Sequence, residues 1–195
     1  MDRETAEFYR TRAEEWAAAA QWEWNRWLDP FLDRLAPGAH ILELGCGDGR
    51  DAARMIARGF SVDLSDGVPE MAALASKRIG REVPVMQFDE LAAEGTYDAV
   101  YASATLLHVP LAELSGVLAR IHRALVPDGL HHGSFKGGSG GGRDDFGRFY
   151  SYLSPDDLET AYRGAGEWSQ LELETRDGSS FGGASAVWHT VLARK

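Results

Sequence analysis

The residues best placed to do chemistry are three alternating glycines, Gly45, Gly47 and Gly49, which follow directly on the apolar stretch Ile41-Leu42-Glu43-Leu44. An apolar strand that runs into Gly-x-Gly-x-Gly and then a helix presents backbone N–H groups at a helix N-terminus, with no side chain to keep a ligand away. A nucleotide-like ligand is the expected occupant. In an open α/β sheet this is the carboxyl end of the first strand, where ligands bind. Asp66 sharpens the reading, because it follows a second short strand at the distance where a carboxylate accepts hydrogen bonds from both hydroxyls of an adenosine ribose. Asp63 is its rival, but Val62 and Leu64 place Asp63 inside the strand, whereas Asp66-Gly67 opens the turn. Capping the following helix is the alternative role for Asp66.

Other candidates lie further along the chain. His108 stands just beyond a later strand, on the rim where a second substrate would approach, and an ordinary histidine pKa suits a general base near neutral pH. Its other reading is structural or substrate-lining. Lys136, Arg143, Arg148, Tyr150 and Tyr152 surround the run Gly137-Gly138-Ser139-Gly140-Gly141-Gly142 and can bind an anionic acceptor, or else form a solvated loop. His131 and His132 are adjacent on a predicted strand, so they point to opposite faces and cannot chelate one metal together. No metal site is expected. Cys46, inside the glycine turn with no histidine placed near it, reads as packing. Trp16, Trp22, Trp24 and Trp27 can stack on a ligand, but their spacing on amphipathic helices also suits core packing.

These residues need a scaffold, and the pattern supplies one. Residues 4–35 carry apolar side chains at helical intervals and predict two helices. Strands are expected at 41–44, 60–65, 83–88, 97–102 and 130–136, with helices at 51–58, 69–79 and 111–125 between them. Such alternation implies right-handed crossovers and a mainly parallel, two-faced sheet. The glycine-rich run reads as a flexible hinge or lid. Ser154-Pro155-Asp156-Asp157 starts another helix, and strands near 170–175 and 186–193 form a closing hairpin.

The totals fit one ordered domain: 195 residues, 44% hydrophobic and 26% charged, with six Trp and 22 Gly. A net charge of −10 opposes broad binding to nucleic acid or anionic membrane. The charged start and the lack of a long apolar run predict a cytoplasmic protein, and a single cysteine fits a reducing compartment.

Taken together, the motifs resemble the class I S-adenosylmethionine-dependent methyltransferases over nearly the whole chain. Glu43-Leu44-Gly45-Cys46-Gly47-Asp48-Gly49 is similar to that family's first motif. Asp66-Gly67-Val68-Pro69-Glu70-Met71 resembles its Asp-x-Ser-Pro-x-Met signature, with Val68 where Ser is usual. Phe88-Asp89-Glu90 is similar to the acidic motif beside the adenine, and Tyr97-Asp98-Ala99-Val100-Tyr101-Ala102-Ser103 to the motif beside the methionine part. Leu106-Leu107-His108-Val109 differs from Leu-His-His-Val at Leu107, and Leu125-Val126-Pro127-Asp128-Gly129 carries Asp128 in place of a glycine. Tyr9-x-x-x-Ala13-x-x-Trp16 resembles a segment that covers the cofactor.

The resemblance implies a Rossmann-like α/β fold of seven strands, mainly parallel, with helices on both faces and an antiparallel C-terminal hairpin. It divides the chain into a helical cap (1–36), a cofactor core (37–136), a glycine-rich lid (137–153) and a C-terminal helix and hairpin (154–195). It implies S-adenosylmethionine as cofactor, held by Tyr9, Glu43, Gly45, Cys46, Gly47, Gly49, Asp66, Gly67, Met71, Asp89, Glu90, Ala102 and Ser103, with S-adenosylhomocysteine as product. The acceptor is expected to be a small molecule or metalloid, met by His108, Lys136, Arg143, Arg148 and Tyr150. In size, the tellurite-resistance-type and thiopurine-type enzymes are nearest. Two alternatives stay open: a dinucleotide-dependent oxidoreductase, whose fingerprint has its third glycine one residue later, and a non-catalytic S-adenosylmethionine-binding protein.

Overall fold

The computed structural model describes residues 1–19, 26–179 and 183–195. The chain opens with helices α1 (Arg3–Thr11), α2 (Ala13–Ala19) and α3 (Leu28–Leu32). Asp2 starts the first by accepting from the Glu4 and Thr5 amides, which satisfies donors that have no partner inside the helix. There follow β1 (His40–Leu44), α4 (Arg50–Ala57), β2 (Ser61–Ser65), α5 (Pro69–Ile79), β3 (Tyr97–Ala102), α6 (Leu111–Ala124) and β4 (Leu125–Lys136). A small hairpin of β5 (Gly141–Arg143) and β6 (Phe149–Ser151) leads to α7 (Pro155–Ala165) and the long hairpin of β7 (Gln170–Ser179) and β8 (Ser185–Arg194). The main sheet has the order β2-β1-β3-β4-β8-β7. Its first four strands are parallel, and β8 and β7 are antiparallel to their neighbours.

Side-chain alternation explains why both faces are covered. Leu42, Val100 and Ala102 join one core with Leu114, Leu118 and Ile121 of α6 and Leu158 and Tyr162 of α7. Their neighbours Ile41, Ala99 and Tyr101 join the other, with Phe31 of α3, Met55 of α4 and Ala72 and Ala75 of α5. A strand apolar on both sides is stable only when helices bury both. The Rossmann-like expectation and the antiparallel C-terminal hairpin are both present. Among the described residues no helix is long and apolar enough to cross a membrane.

Three local features differ from the sequence expectation. Residues 83–88 form no full strand: they contribute one bridge between Val85 and Asp66 and end in the 3-10 turn Phe88–Glu90, so the main sheet has six strands with this segment along the β2 edge. Pro84 has no N–H to give a ladder, and the Val83 N–H donates instead to Ser76 Oγ at 2.9 Å. The strand after α6 starts at Leu125, five residues early, because Asp128 adopts a φ of +64°, a conformation Asp tolerates better than most residues. The glycine-rich run is drawn into regular structure as well. Gly142 pairs with Tyr150 in the β5–β6 ladder, and the Gly137 N–H donates to Val187 O at 2.8 Å.

His131 and His132 do face opposite ways. His131 Nδ1 donates to Val100 O at 3.0 Å and so carries the proton, since a carbonyl only accepts. His132 stacks on Tyr101 with ring centroids 4.8 Å apart. His131 Nε2 and both nitrogens of His132 are buried without a partner. Burial lowers His131 to about 4 and, with help from His131, lowers His132 to about 3. An unfolded histidine titrates at about 6.5. As pH falls below that value the unfolded chain takes up protons that the folded chain refuses, so these two groups withdraw stability as pH drops towards about 4. His132→Phe keeps the stacked ring and removes one such group. The variant is expected to be at least as stable as wild type at pH 7, and to lose less of its urea midpoint between pH 7 and pH 4.5. A larger acid loss in the variant would contradict this.

Candidate functional site

The glycine turn sits at the carboxyl end of β1. Gly45, Gly47 and Gly49 have φ of +66°, +57° and +75°, which a residue with a Cβ rarely adopts. Space enforces the same choice, since a Cβ on Gly45 would lie 2.0 Å from Thr105 Oγ1 and one on Gly47 3.1 Å from the Trp16 ring. Asp66 follows β2 and points back at the turn. Its Oδ2 accepts the Gly47 N–H and its Oδ1 the Val68 N–H, both at 2.9 Å. Asp66 thus joins the glycine turn to the residue before α5; it does not cap that helix, whose N-cap is Val68 with no side-chain cap bond. It is 7% exposed, and burial pushes its pKa up to about 6 against the two amide hydrogen bonds. The rival Asp63 lies elsewhere, bonded to His40 Nε2 at 2.9 Å and Tyr97 OH at 3.3 Å.

The remaining cofactor candidates group around this junction. Glu43 is buried, its carboxyl raised well above the usual range by burial and by Asp51, and its Oε2 has no partner. Burial and the Glu43 and Asp66 carboxylates also raise the Cys46 thiol, which agrees with packing and opposes a thiolate nucleophile. Met71 packs with Tyr9 and Trp16. Gly67 is held by Gln87, whose Nε2 donates to Gly67 O at 2.7 Å. Ala102 is buried, and Ser103 Oγ lies 3.4 Å from Ser134 Oγ. Asp89 is exposed on the 3-10 turn, while Glu90 accepts the Gln87 N–H at 2.6 Å and so closes its own turn.

Helix α1 and the β5–β6 hairpin roof the site. Tyr9 OH lies 3.0 Å from His108 Nε2, and His108 Nδ1 lies 2.6 Å from Phe149 O. The carbonyl assigns the proton to Nδ1, so Nε2 accepts from the Tyr9 hydroxyl. Burial lowers His108 to about 4, which corrects the expectation of a histidine titrating near neutral pH. It is neutral there and orients Tyr9. Arg148 and Arg143 also need correcting as free acceptor contacts. Arg148, 2% exposed, donates twice to Asp144 Oδ2 at 2.9 and 2.6 Å and lies 4.6 Å from the Phe8 ring. Arg143 pairs with Asp2 at 2.9 Å and Glu4 at 3.4 Å on the outer edge. Both clamp the hairpin to α1, together with the Phe149 N–H, which donates to Thr5 Oγ1 at 2.8 Å.

Lys136 Nζ lies 3.7 Å from the Tyr150 ring centre, and Tyr152 is 6.0 Å from Tyr150. Trp16 lies on Gly47, while Trp27 contacts Trp188; Trp22 and Trp24 are outside the described residues. The sequence reading missed Thr105, Gln87, Thr5 and Asp144. Only Asp144 carried a signal, its spacing of four from Arg148.

Residues 41–129 match the model of a methyltransferase domain. A ubiquinone biosynthesis O-methyltransferase of Xanthomonas campestris is 30% identical over 131 residues, covering 54% of this chain and 53% of that protein. The chain thus spans about half the length of the curated relatives it matches. Among solved structures, Haemonchus contortus phosphoethanolamine N-methyltransferase 2 in complex with S-adenosyl-L-methionine aligns with a TM-score of 0.79 and 17% identity, over 100% of this chain and 60% of that one. Burkholderia thailandensis 1,6-didemethyltoxoflavin-N1-methyltransferase, solved with its substrate and S-adenosylhomocysteine, aligns with a TM-score of 0.67 and 23% identity, over 100% and 91%. At these identities the structural likeness establishes the fold. The domain match thus gives residues 41–129 as similar to a methyltransferase domain, and the solved methyltransferases share its fold.

Proposed function

We propose that this chain transfers a methyl group from S-adenosylmethionine to a small-molecule acceptor and leaves S-adenosylhomocysteine. The observation that carries the reading is the buried Asp66 carboxylate bonded to Gly47 inside the left-handed glycine turn. The residues present fit the cofactor. A Cβ on Gly47 would press on the Trp16 ring that covers the turn, and Glu43 Oε2 is a buried oxygen without a hydrogen-bond partner, which the amine of the cofactor would satisfy. When bound, the cofactor supplies a methyl group on a positively charged sulfur, open to displacement by an acceptor atom.

The chain's own residues then have distinct tasks. Asp66 accepts from the ribose hydroxyls, the amides of the glycine turn face the ligand, Gly67 and Asp89 border the adenine side, and Ala102 and Ser103 lie at the β3 end. Tyr9, Met71 and Trp16 cover the junction and exclude water, and His108 holds the Tyr9 hydroxyl in place. Displacement at carbon needs chiefly alignment and dehydration. The α1 helix and the 137–153 hairpin, clamped together, act as the lid. A net charge of −10 and a roofed site favour a small acceptor over a nucleic acid.

Calorimetry tests this reading directly: S-adenosylhomocysteine is expected to bind, and NAD is not. Binding of NAD alone would sink the proposal. Asp66→Ala is expected to weaken S-adenosylhomocysteine binding by about 1.5 to 3 kcal/mol, roughly ten- to 150-fold, through loss of a charged acceptor. Because the ribose hydroxyls donate to the ionised carboxylate, wild-type affinity should hold above pH 6 and decline as pH falls through about 6. Asp66→Asn should remove that decline. Gly47→Val is expected to abolish binding, since the side chain collides with Trp16 at a φ of +57°, whereas Cys46→Ala should bind within about threefold of wild type.

A further inference from the structure

We infer that Lys136 is the anion receptor of the acceptor site, and that the acceptor carries an oxyanion, a carboxylate or a phosphate, beside the atom that is methylated. This deepens the methyl-transfer reading and rests on it. Lys136 is the last residue of β4, three positions beyond Gly133, which pairs with Ala102 at the end of β3. It therefore overhangs the rim that carries the glycine turn. The residue is only 7% exposed, yet among the described residues its ammonium makes no hydrogen bond and no carboxylate lies within ion-pairing distance. The ammonium lies 3.7 Å from the centre of the Tyr150 ring.

The carboxylate that acts on it, Asp144, is held and balanced by Arg148. His108 is neutral, with Nδ1 donating to Phe149 O and Nε2 occupied by Tyr9. One positive charge is left over in a mostly buried cluster. The Tyr150 ring offsets only part of the cost of desolvating it, and an apolar side chain of similar length would fill the same space without that cost. An ammonium without a protein hydrogen bond, on a side chain otherwise packed away, is the arrangement that an incoming anion completes. One excess charge calls for one anionic group on the acceptor, and the rings of Tyr9, Tyr150 and Tyr152 suit a flat apolar body attached to it.

The experiment uses calorimetry on the full chain loaded with S-adenosylhomocysteine, with benzoate, phenyl phosphate and neutral benzamide as probes. At least one anion is expected to bind tenfold or more tightly than benzamide, and the preferred anion identifies the group as carboxylate or phosphate. Lys136→Met should erase the preference while leaving S-adenosylhomocysteine affinity within twofold and the melting temperature no lower than wild type. Lys136→Arg should keep most of the preference, and Lys136→Gln replaces the Met variant if that one fails to fold. The inference is overturned if the wild type binds benzamide as well as both anions, binds none of the three, or if the preference survives in the neutral variants. An anion preference that depends on Lys136 in a protein that binds no S-adenosylhomocysteine would instead overturn the cofactor reading and leave the anion site standing.

Discussion

The Asp66 carboxylate is the constraint on which the rest of the site depends. Its two oxygens accept from Gly47 and Val68, so a single side chain joins the turn after β1 to the helix after β2. The backbone reinforces the joint, since Gly45 and Cys46 both donate to Ser65 O at 2.9 and 3.0 Å, and Met86 donates to Asp66 O at 3.0 Å. The ends of β1 and β2 and the 83–88 edge segment are thereby fixed relative to one another. The arrangement has an energetic cost, visible in a carboxyl raised to about 6 by burial. Buried carboxylates are tolerated when hydrogen bonds satisfy them, and here two amides do so while Trp16 packs over Gly47.

The roof follows a different principle. Fold and glycine turn come from the parallel sheet, but the cover is assembled from two segments far apart in sequence, α1 and the β5–β6 hairpin. Arg148 holds them together by lying against Phe8 and Tyr150 while its charge is satisfied by Asp144. Arginine suits such a place because its planar group stacks and forms paired hydrogen bonds at once. The consequence is chemical. With Arg148 engaged in structure, the proposed contact to the acceptor falls to Lys136.

Much of this was legible in the sequence where one physical rule acts locally. The glycine turn, the choice of Asp66 over Asp63, the capped start of α7 and the terminal hairpin all follow from spacing, turn chemistry or periodicity within a few residues. What escaped depends on contacts across the chain. Pro84 turned residues 83–88 from a strand into an edge segment. His108 kept the reading of a neutral-pH base beside a structural one because an ordinary pKa was assumed, and only burial, which the chain pattern does not show, lowers it. Arg143 and Arg148 read as acceptor contacts because their partners, Asp2, Glu4, Phe8 and Asp144, declare themselves only once α1 and the hairpin meet.

The central claim, that Asp66 is the ribose-binding carboxylate of an S-adenosylmethionine site, is open to one direct measurement: the pH titration of the Asp66 side-chain carboxyl by carbon-13 NMR, in the free protein and with S-adenosylhomocysteine bound. The free carboxyl should titrate at about 6. Ribose hydroxyls donating to the ionised form should lower that midpoint by about one unit or more in the complex. S-adenosylhomocysteine that binds and leaves the Asp66 titration where it was would contradict the account.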